Sequence, residues 1–598
     1  MRNIIAALLM MMAATAFAVP AKKFWRTVKQ ADGTVLELML IGDENLHFFI
    51  TRDSVPVVED GSRYCYARNT GMALASTGVL AHELELRTTL DLANIYTVED
   101  MMAARRFAGN KSAARAKRLS PAKKTHYLGK QKGLIILANF ADKKFYDFTE
   151  EDGGAATWER YNNMVNQVGY TNEKYQAIGS VHDYYYDQSH GKFNLTFDVV
   201  GPVQLSQKLS YYGSNKGGDD ARASEMIVEC CQLADSLVDF NDYDWDGDGE
   251  VEEVFVLYAG YGEATGGNSN TVWPHMWTME EAVTAGNDVP KDFQLDNARI
   301  NVYACSNELY LSSGHIEMGI GTICHEFSHC LGLPDFYDTS YRGNFGLGEW
   351  DILSSGNYNG PKGLGWVPAG FSAYEREFAG WISLIELKND RKVVEQKPLT
   401  EKGNAYVIYN DACHDEYYIL ENRDQKSWDA FLPGKGLLIV HVDYDADLWE
   451  SNIVNTTGFI YKKYNSHQRM TVFHASNSIY GGNEAFPYEG NDSLTDNSTP
   501  AAILYNANLD GTKHMHKPIT EIQRDEETGY VSFRFENRND YDDIQKTDFT
   551  RDGMMPTEVY TIDGIKVGTY DDIRKLNEGV YAVKYSDGST RKIIIKHK

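Results

Sequence analysis

Residues 325–335 read His-Glu-Phe-Ser-His-Cys-Leu-Gly-Leu-Pro-Asp, and few folds can accommodate such a run. Two histidines four positions apart project from one face of a helix, where both imidazoles reach a single metal ion. Glu326 points about 100° further round that helix, toward a water at the metal and not the metal itself. Gly332 permits a sharp turn, so Asp335 can return as a third, oxygen ligand. Asp338 is a nearby competitor, and Glu421 or His441 could approach from a later region. Three protein ligands and one open position describe one catalytic zinc ion, not a structural one. The plain alternative is a buried amphipathic helix whose histidines are incidental.

At 598 residues the chain is too long for one domain and should hold three or more. The 38 Tyr and 51 Gly favour β-rich architecture with many turns. A net charge of −27 argues against nucleic acid or an anionic membrane as partner. Arg2, the apolar stretch Ile4–Ala14 and the small-x-small pattern at Ala16-Phe17-Ala18 read as a signal peptide over residues 1–18. No later segment reaches the roughly 18 apolar residues of a transmembrane helix. The chain is therefore expected to be exported to the cell surface or beyond, with no transmembrane segment. Seven cysteines, an odd number, leave at least one thiol free.

Four units follow. Residues 19–125 begin with strand-like alternation at Thr34–Leu40 and Leu46–Ile50, then turn into an Ala-, Arg- and Lys-rich stretch over Ala103–Arg118. Such an exposed basic linker suits proteolytic removal of a prosegment, with cleavage between Arg105 and Lys124. Residues 126–375 mix strands (Gly133–Phe140, Lys192–Val200, Val254–Gly260) with helices (Ser180–Gln188, Ala221–Leu237) around the His-Glu run, as in an α+β catalytic domain. Residues 376–536 are mainly β, with strands at Ala405–Tyr409, Glu416–Glu421 and Gly436–Val442. An acidic linker at 537–552 leads to a small β unit at 553–598, whose Asp563-Gly564 and Asp587-Gly588 pairs suit hairpin turns.

A second constellation runs from Asp242 to Glu253. Asp242, Asp244, Asp246, Gly247 and Glu253 fit one EF-hand-like register; Asp244, Asp246, Asp248, Gly249 and Glu252 fit another, with Glu250 between them. So many like charges repel unless a hard cation gathers them, so one or more structural calcium ions are expected. The strand at Val254 argues against a full helix-loop-helix unit.

On these residues the chain resembles the immune inhibitor A-like secreted zinc metallopeptidases. The likeness rests on His325–Asp338, the acidic loop running into Val254–Gly260, and Trp273-Pro274-His275. Gly179–Tyr185, Gly191-Lys192-Phe193, Asp198–Pro202, Leu420–Arg423 and His441-Val442-Asp443 also match the family style. The resemblance implies a metzincin-like fold, zinc endopeptidase activity on protein or peptide substrates, a prosegment and structural calcium. The tail is similar to the sorting domains of type nine secretion substrates, implying contact with that machinery. One departure stands out: where related enzymes place a methionine beneath the metal, this chain has Leu353, which can supply a similar apolar floor.

His182, His190, His275 and His441 are expected to be structural, as is Cys65, although a thiolate could block a metal. The mechanism expected is hydrolysis with Glu326 as base and His325, His329 and Asp335 on the metal. The rival reading, an inactive adhesion or scaffold protein on a peptidase fold, has no need to keep Glu326.

Overall fold

The computed structural model describes residues 19–93, 127–538 and 556–595, apart from positions 31, 44–46, 62, 71–73, 89, 91, 217–218, 221, 312, 342, 461–462, 480–482, 563, 570–578 and 587–589. The expected signal peptide, the basic linker at 103–124, residues 539–552 of the acidic linker and the expected Asp587-Gly588 turn lie outside the described residues.

The first unit is an antiparallel meander: β1 (Arg26–Lys29), β2 (Val35–Gly42), β3 (His47–Ile50), β4 (Pro56–Asp60), β5 (Arg63–Asn69) and β6 (Leu74–Leu80) pair in sequence order. In β2, Leu36, Leu38 and Leu40 alternate inward, as a half-buried strand requires. Cys65 is fully buried in β5, so it is a packing residue.

The second unit carries the His-Glu run. Its sheet uses β7 (Gly129–Asn139), β8 (Phe193–Gln204), β9 (Val254–Tyr261), β10 (His275–Thr278) and β11 (Val302–Leu309), in the order β10-β11-β9-β7-β8. Four strands are parallel and β10 is an antiparallel edge. β7 and β9 are covered on both faces, which is why they read as unbroken apolar runs instead of alternating. Helices α1 (Ala155–Asn166), α2 (Val181–Gln188) and α3 (Ala223–Ala234) flank the sheet. α2 opens with a capping box, Ser180 and Asp183 each bonding the other's backbone N–H. The fourth helix, α4 (Gly321–Cys330), bears His325, Glu326 and His329, and all ten of its residues are buried.

Packing crosses the expected boundary near 376. One core runs from Tyr127, Ile135 and Phe193 through Phe327, Leu353 and Trp381 to Ile419, Val440 and Met470. The later strands Tyr406–Tyr409, Glu416–Arg423, Gly436–Asp443 and Met470–Val472 form an antiparallel series that packs into this core on one face. Their other face closes a separate core with Leu437, Ile439, Phe533 and Phe535. The tail is a four-stranded antiparallel sheet over 556–595, with Gly564 at φ 87° in its first hairpin turn. Among the described residues no helix is long and apolar enough to cross a membrane, and all seven cysteines are free.

α4 meets the turn at 355–358 so closely that a Cβ on Gly321 would lie 1.8 Å from the Asn357 carbonyl oxygen. That partner is backbone and cannot step aside. Gly321→Ala should therefore destabilise the protein by about 2–4 kcal/mol. Equilibrium denaturation is the check; an unchanged midpoint would refute this packing.

Candidate metal centre

α4 is apolar on several faces, which drives the whole helix into the interior. Tyr185 of α2 braces it, its hydroxyl donating to the Cys324 carbonyl at 2.9 Å and lying 3.1 Å from Ser328 Oγ. The helix ends at Leu331, and Gly332 follows at φ 87°, the left-handed conformation in which a glycine terminates a helix without strain. This turn sends Leu333 and Asp335 back alongside the last helical turn.

The two imidazoles are fixed from behind. His325 Nδ1 lies 2.7 Å from the Ile352 carbonyl oxygen, and His329 Nδ1 lies 2.8 Å from that of Leu333. A carbonyl only accepts, so both Nδ1 atoms carry the proton and both Nε2 lone pairs face the opposite way. There they meet one oxygen: Asp335 Oδ1 is 3.2 Å from His325 Nε2 and 3.5 Å from His329 Nε2. Ligands about 2.1 Å from a tetrahedral ion stand about 3.4 Å apart, so these separations fit a metal held at the centre of the three. Asp335 Oδ1 and Glu326 Oε2 are buried without a hydrogen-bond partner, which an apolar site would not tolerate but a cation explains.

Electrostatics agree with that geometry. Burial pushes the Asp335 carboxyl upward, but positive charge at His329 and His325, a place a bound cation would take when both rings turn lone pairs inward, together with the Asn452 amide, holds it below the usual range. Burial drives Glu326 the other way, well above an ordinary carboxyl; Asp335 and Glu253 add to the rise, while N–H donors from Val19 and Met276 oppose it. A carboxylate that favours its proton is a better base.

Asn452 was not legible in the sequence. It lies 117 positions beyond Asp335, accepting from the Asp335 N–H at 2.7 Å and donating to Asp335 Oδ2 at 2.6 Å. It sits just past a short helix in the β-rich region, at φ 54°.

The other candidates stand elsewhere. Asp338 turns its carboxylate to Ser340 and to the Asn344 N–H. Glu421 accepts from Arg423 Nη1 at 3.0 Å and from the Ala373 N–H at 2.6 Å. Arg423 also grips Asp429, so the Leu420–Arg423 motif is a buried structural clamp. His441 lies 2.9 Å from Glu416 and stacks between Phe473 and Tyr505. His182 faces Asn194, and His190 faces Leu399 and Arg376. His275 is buried against the Trp273 carbonyl, and burial lowers its pKa to about 4. Leu353 is fully buried in the core below the site, its amide on Asp351 Oδ1 and its carbonyl taking the Phe336 N–H.

A peptide runs through the cleft beside Glu326, and it is the chain's own N-terminal segment. The Val19 N–H donates to Glu326 Oε1 at 2.9 Å, and the Val19 carbonyl accepts from Trp273 Nε1 at 3.2 Å. Tyr358 donates its hydroxyl to the Pro20 carbonyl, and the Lys22 N–H bonds the Ala264 carbonyl. Val19 and Ala21 share a small core with Leu40, Trp273 and Tyr358. Nearby, His47 of β3 stacks on Trp273 with centroids 4.4 Å apart and pairs with Glu263 at 2.9 Å, both side chains being buried. The only sequence signal for this contact was the small-x-small pattern that ends at Ala18.

In the acidic loop, Asp244, Asp246 and Glu252 bring one oxygen each within 4.8 Å of one another. Asp244 also ties the loop, accepting from the amides of Gly247, Asp248 and Gly249. Asp248 accepts from the Glu250 amide. Asp242 pairs with Lys132, and Glu250 with Arg299. Glu253 is buried at the entry to β9. The loop lies between a short 3₁₀ turn at Phe240–Tyr243 and the strand β9, so no helix-loop-helix unit is formed.

A buried helix bearing two histidines and a glutamate, followed by a carboxylate that approaches both imidazoles, forms a group able to hold a metal ion. Residues 122–381 match the family described as immune inhibitor A peptidase M6, catalytic domain. Immune inhibitor A of Bacillus thuringiensis subsp. alesti is 27% identical over 317 residues, 46% of this chain and 44% of that protein. The pre-pro-metalloprotease PrtV of Vibrio cholerae is 29% identical over 284 residues, 41% of this chain and 29% of that protein. A putative secreted metallopeptidase of Arthroderma benhamiae is 25% identical over 233 residues, 34% of this chain and 32% of that protein. The matched region thus spans less than half the length of these relatives. Residues 122–381 are thus similar to the immune inhibitor A peptidase M6 catalytic domain.

Because Asn452 holds both ends of the Asp335 contact, Asn452→Ala should weaken metal affinity by about 10–100-fold. Asp335→Ala should weaken it more, and Asp338→Ala should leave it nearly unchanged. Competition with a chromogenic chelator measures all three. Equal affinities for wild type and Asn452→Ala would refute the bracing role.

Proposed function

We propose that this chain is a secreted zinc endopeptidase, metzincin-like in its catalytic domain, that is made latent by its own N-terminal segment. The observation that carries the first half is the convergence of His325 Nε2, His329 Nε2 and Asp335 Oδ1 at tetrahedral spacing beside Glu326. Zinc, when bound by those three residues, supplies a Lewis acid and lowers the pKa of a water. Glu326 accepts a proton from the attacking water and returns it to the leaving amine of the substrate. Trp273, Tyr358 and the Ala264 carbonyl hold a peptide main chain against the site, as they hold residues 19–22. Leu353 closes the floor without contacting the ion. An inactive scaffold has no use for a buried, unpaired carboxylate oxygen on Glu326.

Latency follows from occupancy. With Val19 on Glu326, a substrate cannot approach. Removal of residues 1–18 would leave the Val19 α-amino group at that carboxylate. The His47–Glu263 pair and the stacking of His47 on Trp273 anchor the meander to the peptidase domain. Activation then requires a cut in the basic stretch between Arg105 and Lys124, followed by release of the segment. The tail sheet at 556–595 is proposed to address the type nine secretion machinery, and the acidic loop to bind a structural calcium ion through Asp244, Asp246 and Glu252.

Glu326→Ala should retain one zinc per chain while casein hydrolysis falls by about 10²–10⁴-fold. Wild-type turnover in that variant would overturn the assignment of the base. The intact secreted chain should be inactive, and N-terminal sequencing of the active species should begin beyond the 105–124 stretch. His47→Ala should bring activity on sooner. An active form still covalently joined to residues 19–103 would contradict latency. For the loop, millimolar calcium should raise the thermal midpoint of the unit that carries it, by roughly 2–4 °C per kcal/mol if that unit of about 250 residues unfolds by itself; an unmoved midpoint leaves only a solvated acidic loop.

A further inference from the structure

The N-terminal segment leaves Glu326 with the polarity of a cleaved product. Its amide nitrogen at Val19 is 2.9 Å from Glu326 Oε1, the contact a general acid makes with the nitrogen it protonates. From that point the chain runs outward from N to C, as does the peptide on the amine side of a cut bond. Its main chain is held by groups that ignore side-chain identity: Trp273 Nε1 on the Val19 carbonyl, Tyr358 on the Pro20 carbonyl, and the Ala264 carbonyl on the Lys22 N–H. Val19 to Lys22 thus occupy the first four positions after a scissile bond.

Lys22 is then recognised through its side chain. Its ammonium lies 4.5 Å from the Tyr310 ring centroid and 5.6 Å from that of Tyr358. It also donates to the Lys362 carbonyl at 3.3 Å and to the Gly363 carbonyl. Gly363, at φ 65°, leaves the room this needs: a Cβ there would sit 2.8 Å from the Lys22 nitrogen. Two ring faces and two carbonyl oxygens form a cradle for a cation, and neither an anion nor an apolar side chain would satisfy those carbonyls.

We infer that this cradle is a substrate subsite, selecting a lysine or arginine at the fourth position on the amine side of the cleaved bond. The inference rests on the metallopeptidase reading and goes beyond it, since it names a substrate feature. Recognition by rings and carbonyls, with no carboxylate among the contacts described, admits either basic side chain. The N-terminal segment blocks the cleft by presenting that preferred residue in the product position.

The test uses the full-length chain, zinc-loaded and allowed to process, incubated with a proteome-derived peptide library whose new termini are read by mass spectrometry. Lys and Arg should be enriched about fivefold at the fourth position after the cut. Tyr310→Phe, which keeps the ring face, should retain the enrichment, and Tyr310→Ala should bring it to background while cleavage continues. Abundant cleavage without that enrichment in the wild type overturns the subsite and leaves the peptidase reading standing. Enrichment undiminished in Tyr310→Ala does the same. Failure of the processed, zinc-loaded chain to cut casein or any library peptide overturns the peptidase reading and the subsite with it.

Discussion

The approach of Asp335 Oδ1 to two imidazole nitrogens at 3.2 and 3.5 Å is the constraint on which the rest of the structure depends. All three side chains are fully buried, and such polar groups are costly there unless each is fixed and compensated. The compensation is directional. Backbone carbonyls of Ile352 and Leu333 fix the Nδ1 protons, and Asn452 holds the far oxygen of Asp335. Each of these partners comes from a different stretch of chain. The turn after Gly332, the 351–358 turns and the loop around Asn452 must therefore all be in place before the three ligand atoms converge. Packing accordingly continues across the expected boundary, and the β-rich region supplies part of the support for these three side chains.

The same dry interior shapes the chemistry. Burial lifts Glu326 well above an ordinary carboxyl, with Asp335 and Glu253 adding to the effect. A bound dication would draw that proton affinity down toward the working range, since a nearby cation favours the carboxylate form. In its proposed role as base, Glu326 would thus be set by two opposed effects, one from the core and one from the metal. The histidines outside the helix are committed elsewhere by burial or carboxylate partners: His275 to a carbonyl, His441 to Glu416.

The residues beside Glu326 hold the chain's own segment 19–22 by its backbone. Trp273 serves twice, donating to Val19 and stacking against His47, so one residue of the conspicuous Trp-Pro-His stretch joins both anchors of the N-terminal unit. In the proposed latent form the blocking contacts are those described for residues 19–22, and release would depend on cutting the chain elsewhere, because an intramolecular ligand is present at high effective concentration.

What the sequence determined by itself is local. Histidine spacing on a helix, the glycine that ends it, the Ser180–Asp183 capping box and the apolar runs of β7 and β9 depend on neighbours a few residues away, and all could be read directly. The sequence also placed the carboxylates of the acidic loop, but not which of them face one another. Asp242 and Glu250 are drawn off by Lys132 and Arg299, partners more than forty residues distant, leaving Asp244, Asp246 and Glu252 together. Asn452 behind Asp335, the Ile352 carbonyl behind His325 and Val19 on Glu326 were likewise decided only by the tertiary structure. These contacts join residues from 27 to 307 positions apart. Each uses a backbone group or an ordinary amide that every segment of chain possesses, so no residue type marks it in advance. Packing alone selects which one arrives.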